Sequence, residues 1–261
     1  EIYSTSQVTM DFDSYYSAVN FYGTEINLKS GVVRYGSSGI STVNIALNDI
    51  SYMVFRDCGT ALTVIEGNLD ISYLIISNCD GLGILFTYNA GENYNIVTSR
   101  CIINNISQRG ISIERTNNYN INNCYFNNNN NAIYIKYCNE GFIENNVFNL
   151  TYYHIFYHKT CNNNYIYYNN FFNSINSIRP RSNINNINNN NFFGYANYFI
   201  YIINPDPPYS FVSADVNATN NYWAVEEVNN YLADAEDDPR CPYHIIYFPR
   251  LSNPEKKAGI H

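Results

Sequence analysis

Residues 110–135 read GISIERTNNYNINNCYFNNNNNAIYI, and their decisive feature is that Gly110-Ile111-Ser112-Ile113 returns as Ala132-Ile133-Tyr134-Ile135 after 22 residues. Each unit alternates inward apolar positions with others, the period of a strand with one buried face. The asparagines between the units first suggest a disordered polar tract. Working outward tests that. The unit recurs as Ala61-Leu62-Thr63-Val64, Gly83-Ile84-Leu85-Phe86, His154-Ile155-Phe156-Tyr157 and Ser177-Ile178-Arg179-Pro180, with Ile200 in phase beyond them. From Leu62 to Ile200 the second residue of the unit steps by 22, 27, 22, 22, 23 and 22. A phase kept across the asparagine tracts marks a solenoid rather than disorder. The long step contains Asn89-Ala90-Gly91-Glu92-Asn93, a turn-rich insertion.

A second series has the same period: Phe55-x-x-Cys58, Ile76-x-x-Cys79, Thr98-x-x-Cys101, Ile121-x-x-Cys124, Ile143-x-x-Asn146, Ile166-x-x-Asn169 and Ile187-x-x-Asn190. Read as one column, it predicts an interior ladder of Cys58, Cys79, Cys101, Cys124, Asn146, Asn169 and Asn190. A period near 22 is too short for two helices and a turn, and the leucine-rich consensus is absent. The expectation is an all-β, right-handed parallel β-helix of coils about 22 residues long, each strand pairing with its equivalent one coil away. Asparagine suits the tight corners because it tolerates the left-handed backbone conformation, and stacked amides can form ladders.

The expected organisation is a single domain over residues 1–261. It comprises irregular early coils at 1–45, regular coils at 46–204, a looped excursion at 205–215, a last coil at 216–223 and a cap at 224–261. Within the cap, Val225, Val228, Tyr231, Leu232 and Ala235 recur at helical spacing before Pro239, which predicts a short helix over the open end of the core.

Composition narrows the function. A net charge of −8, with 14 Lys and Arg that do not gather into a stripe, argues against nucleic acid and anionic membranes. No apolar run reaches the length of a membrane span, so direct membrane insertion is not expected. The start at Glu1, the acceptor triplets at Asn105, Asn149 and Asn217, and the cysteines point to an extracellular or cell-surface glycoprotein. No metal and no cofactor is expected. The four His form no zinc motif, Asp11, Asp13 and the acids at 234–238 lack calcium-loop spacing, and no phosphate loop or nucleophile elbow appears.

The recurring Ile-x-x-Asn-x-Phe and Gly-Ile-x-Ile units resemble the parallel β-helix repeat family, solenoids related in fold to pectate lyases. Val216-Asn217-Ala218-Thr219-Asn220-Asn221-Tyr222-Trp223 resembles the final coil of β-helix units in large extracellular proteins such as the animal junction protein Bark beetle. Ala224 stands where that family usually carries Gly. The resemblance implies a module of a larger surface assembly.

Cys138 and Cys161 lie one coil apart, near enough for a disulfide, and a bridge is expected there. Seven cysteines leave at least one, such as Cys241, without an internal partner. On the outer face, alternation gives one column of Ser112, Tyr134, Phe156 and Arg179 beside another of Glu114, Lys136, His158 and Arg181. Tyr134 and Phe156 could stack on sugar rings, Lys136 and Arg179 could meet carboxylates, and His158 with Glu114 could exchange protons. Alternating charges are equally what cross-strand pairing favours. The leading expectation is a non-catalytic structural or adhesive module whose partners are other domains or subunits. A carbohydrate-active enzyme or glycan-binding module, and a fibre-forming subunit, are the alternatives.

Overall fold

The structure, a computed structural model, describes residues 8–11, 19–21, 25–44, 46–88, 94–158, 160–181, 186–194, 196–202, 215–234, 237 and 244–260. Its strands form a parallel β-solenoid of about seven regular turns at roughly 22-residue spacing. Shorter strands extend it at both ends. Each coil contributes one strand to each of three columns, so the cross-section has three faces and three corners.

The first column stacks Leu69–Ser72, Asn95–Ser99, Asn118–Asn122, Phe142–Glu144, Tyr165–Tyr167 and Asn186–Asn188. In the second, Ile75–Cys79, Ile102–Ile106 and Tyr125–Asn127 are followed by the leading residues of Val147–His158 and Asn170–Arg181, then by Asn191–Phe193 and Tyr222–Trp223. The third runs from Val19–Phe21 and Ser38–Val43 through Thr60–Ile65, Leu82–Thr87, Arg109–Glu114 and Asn131–Lys136. It ends on the trailing halves of the two long strands, Tyr198–Tyr201 and Leu232–Ala233. Strands within residues 8–43 pair in parallel like those that follow. The insertion 89–93 and the excursion expected at 205–215 lie outside the described residues, apart from Asp215.

The interior is a stack of like on like. Ile111, Ile133, Ile155, Ile178 and Ile200 are all buried, as the alternation predicts. In the second column Phe126, Phe148, Phe171, Phe192 and Trp223 stack with nearly parallel planes and centroids 5.0, 5.0, 4.8 and 4.4 Å apart. Each ring covers the next from water, and each such pair adds about 1 kcal/mol beyond the area buried.

The corners share one backbone device. At the first corner, between the first and second columns, Tyr52, Tyr73, Arg100, Asn123, Asn145, Tyr168, Asn189 and Asn220 have positive φ. At the second, between the second and third columns, Asp57, Asn78, Asn105, Asn128, Leu150 and Asn173 do. The residue after each turns inward and is buried. Asparagine therefore occupies many corners, as its tolerance of this conformation implies, but Tyr, Arg and Leu occupy others.

This repetition of one device at two corners corrects the expected cysteine and asparagine column. Cys79 pairs with Ile106, not with Cys101. Cys58 and Cys79 line the second corner, continued by Ile106 and Asn129, whereas Cys101, Cys124, Asn146, Asn169, Asn190 and Asn221 line the first. The cause is arithmetic. The two corners of a coil lie five residues apart, as Cys101 and Ile106 do, and the insertion 89–93 is also five residues long. A coil lengthened by five thus presents its preceding corner at the normal 22-residue step.

At the first corner, from Cys101 to Asn190, each backbone N–H donates to the side chain one coil on. Cys101 donates to Cys124 Sγ at 3.5 Å, Cys124 to Asn146 Oδ1 at 2.9 Å, Asn146 to Asn169 Oδ1 at 2.9 Å, Asn169 to Asn190 Oδ1 at 2.9 Å and Asn190 to Asn221 Oδ1 at 2.8 Å. The amide nitrogens of Asn146, Asn169 and Asn190 donate to the carbonyls of Ile121, Ile143 and Ile166. Buried polar side chains thereby satisfy buried main chain, which makes an amide affordable in an apolar core.

The expected bridge between Cys138 and Cys161 is also corrected. Both are buried thiols at the third corner, and the Cys138 N–H donates to Cys161 Sγ at 3.4 Å. Burial pushes the Cys138 thiol up to about 12, so it stays protonated and packs as a small apolar group. Cys241 lies outside the described residues. The cap differs from the expected helix as well: a single 3-10 turn, Val228–Tyr231, gives way to Leu232–Ala233, which pairs with the third column. Pairing to the open edge of that column outcompetes helix extension in a segment with no side-chain N-cap.

Candidate functional site

The third column places the expected outer residues in register. Ser112, Tyr134, Phe156 and Arg179 follow one another coil by coil, and Glu114, Lys136, His158 and Arg181 run beside them. Their side chains do not stand open to solvent, however. Ser112 is fully buried and Tyr134 is 6% exposed, because Arg109 lies over both. Its guanidinium carbon sits 3.6 Å from the Tyr134 ring centroid, and Nη1 donates to Ser112 Oγ at 3.1 Å. The other side of Tyr134 meets Phe156 edge-on at 5.5 Å and His158 at 5.9 Å. Tyr134 therefore has no free ring face for a sugar, contrary to the expectation from alternation alone. Burial pushes its hydroxyl up, so it stays protonated.

The proposed proton exchange between His158 and Glu114 is not assembled either. Lys136 stands between them in the register, two coil spacings separating the pair by about 10 Å. The Glu114 carboxylate is held by Arg109 Nη1 and Lys136 Nζ, each at 3.4 Å. One end of the strip is thus an ion-pair network.

The other end is built around Arg179. Its guanidinium carbon lies 5.5 Å from the ring centroid of Tyr153, 5.4 Å from Phe156 and 5.2 Å from Tyr201, and Nη1 donates to Tyr153 Oη at 2.8 Å. Arg181 lies 5.4 Å from Phe156. Aromatic faces attract cations and fix their direction. Among the described residues no carboxylate pairs with Arg179, and its buried Nε has no hydrogen-bond partner.

Arg109, Tyr153 and Tyr201 were not legible as members of this strip. Arg109 and Tyr153 occupy the strand-start position, in register through Asn131. The two residues after each point inward together, as Gly110 with Ile111 and His154 with Ile155, so strict alternation fails there. Tyr201 follows Ile200, the last residue in phase.

The three glycosylation acceptors serve the solenoid. Asn105 and Asn149 belong to outer amide ladders, donating to Asn78 Oδ1 and Asn127 Oδ1 at 3.0 Å each. Asn217 Oδ1 accepts from the Thr219 N–H and hydroxyl, closing a local turn. Among the described residues no group of His, Cys, Asp and Glu is placed to hold a metal ion.

No family model matches the chain, and no curated protein matches it. A solved structure described as a glycoside hydrolase is similar in fold with a TM-score of 0.49 and 13% identity, over 90% of this chain and 53% of that one. The chain thus spans about half the length of that protein.

Proposed function

We propose that the protein is a non-catalytic binding module of a secreted or cell-surface assembly, and that it holds a linear acidic glycan along the third column. The observation that carries this reading is Arg179: a cation fixed by three aromatic rings, with no anionic partner among the described residues. Arg181 lies beside it and Lys136 two coils before, so cations recur along the solenoid axis. A surface that repeats in one dimension matches a ligand that does the same. Among the described residues four Lys and Arg stand on this strip against one acid, Glu114, although the chain as a whole carries −8. That local reversal of sign favours carboxylated or sulfated sugars.

The non-catalytic part of the reading is supported by the placement of Glu114, which is ion-paired with Arg109 and Lys136 and stands two coils from His158. The test is a panel of polyuronates, sulfated and neutral polysaccharides, with retention and new reducing ends measured together. Salt-sensitive retention of acidic polymers without cleavage, lost in Arg179→Ala, is expected. Cleavage would contradict the non-catalytic reading, and equal retention by Arg179→Ala would remove the strip as the site.

A further inference from the structure

A second surface lies around the second corner, where an axial groove of about 750 Å³ crosses the coils from Asn105 to Ile175. Every residue lining it is uncharged. The left-handed position along this corner is Asn at 78, 105, 128 and 173, but Leu at 150, with φ of 48°. A leucine there bears a steric penalty that asparagine largely escapes. It is also 55% exposed, next to Tyr152 at 45% and Ile175 at 40%. Leu150 further interrupts an outer amide ladder: Asn128 donates to Asn105 Oδ1 at 2.8 Å and Asn105 to Asn78 Oδ1 at 3.0 Å. One coil beyond Asn128 stands a side chain with nothing to donate. Strain, exposure and a broken ladder coincide at one residue, and none of the three serves the fold.

We infer that this groove docks an extended, uncharged polypeptide segment of a partner protein, with apolar side chains seated on Leu150, Tyr152 and Ile175. The molecule already holds main chain in this manner elsewhere. On the outside of the second column the Asn191 amide brackets Glu255, accepting its N–H at 2.6 Å and donating to its carbonyl at 3.0 Å. Asn170 donates to the Ala258 carbonyl at 3.2 Å. Gly259 follows with φ of 101° and approaches so closely that a Cβ would stand 2.5 Å from Asn170 Nδ2. Stacked asparagines on the outside of the second column therefore bind a peptide backbone, and the groove sets another asparagine of a stack, Asn128, beside apolar seats. A charged segment would lose hydration there and gain no partner. The Arg179 strip attracts anions; this groove selects against them.

The experiment pans a phage library of linear peptides about twelve residues long on the whole chain, with counter-selection on Leu150→Asn. Uncharged peptides with recurring apolar residues should be enriched. Synthesised with a fluorophore, they should bind roughly tenfold more weakly to Leu150→Asn and to Tyr152→Ser, and unchanged to Arg179→Ala. Leu150→Asn should meanwhile raise the melting temperature, since it relieves the strain and restores the ladder. Failure to enrich peptides over the counter-selected variant overturns the proposal. So does a fall in the melting temperature of Leu150→Asn, which would make Leu150 structural, or binding of a neutral oligosaccharide that this substitution abolishes.

Discussion

The coils before and after Cys124 fill the same three-sided frame with different chemistry. At the first corner, Leu74 and Cys101 precede it, while Asn146, Asn169, Asn190 and Asn221 follow it. In the second column Ile76 and Ile103 give way to Phe126, Phe148, Phe171, Phe192 and Trp223. Packing, with weak hydrogen bonds to and from sulfur at Cys101, holds the earlier corner, and a side chain there can be exchanged for another of similar volume. In the later coils each amide links its coil to both neighbours, so register and side-chain identity become one constraint. A parallel coil accepts either solution, but only the second is intolerant of substitution.

Asn169→Leu should break that contrast most severely. It leaves the buried Asn146 N–H and Ile143 carbonyl, and the half-buried carbonyl of Tyr167, without their partner, about 5 kcal/mol in total at 1 to 3 kcal/mol per group. Cys101→Ala, in the same corner of the earlier half, should cost about 1 kcal/mol. Urea unfolding of the two variants reads the difference directly.

The aromatic stack gives the next largest effect. Phe148→Ala removes a ring that touches Phe126, Phe171 and His154, and should cost about 4 kcal/mol. Ile103→Ala, the aliphatic counterpart, should cost about 3 kcal/mol. Equal midpoints for the two would show that stacking adds nothing to burial.

Acid should act selectively on the later half, through His154. The ring is fully buried between Phe148 and Phe171, and burial holds its pKa down to about 3. In the unfolded chain the same group titrates near 6.5, so between these values the unfolded state binds the extra proton. Stability is fully present above pH 6.5 and falls as pH drops toward 3, by about 3 kcal/mol at pH 4. His154→Leu should flatten that part of the pH profile while leaving stability at pH 8 within about 1 kcal/mol. An unchanged acid slope in the variant would assign the acid sensitivity to other groups.

The smallest effect belongs to the outer strip. Arg179→Ala should change the unfolding midpoint by less than about 1 kcal/mol, because a partly exposed cation over aromatic rings contributes little to folding. Its consequence should be in ligand retention instead.

Much of the third column was legible in the sequence because Ile111 and its equivalents repeat with both a strand period and a coil period. Two independent periodicities fix one register. The first and second corners were not separable, since each presents the same order: a buried strand residue, a left-handed residue and a buried corner residue. A five-residue insertion equal to the corner spacing then disguised the change from one corner to the next. The outer strip was legible as a set of positions but not as a surface. Arg109 joins it across a strand start where alternation fails, and it closes over Tyr134, which alternation alone would leave open. Side-chain reach, unlike register, has no period.

The coil register can be tested through that ambiguity. Cys79 stacks on residue 106 at the second corner, while Cys101 belongs to the first. In Ile106→Cys, mild oxidation of the folded chain followed by peptide mapping should yield a crosslink between positions 79 and 106. A crosslink between Cys79 and Cys101 in its place would contradict the assignment of corners on which the ladder, the outer strip and the groove all rest.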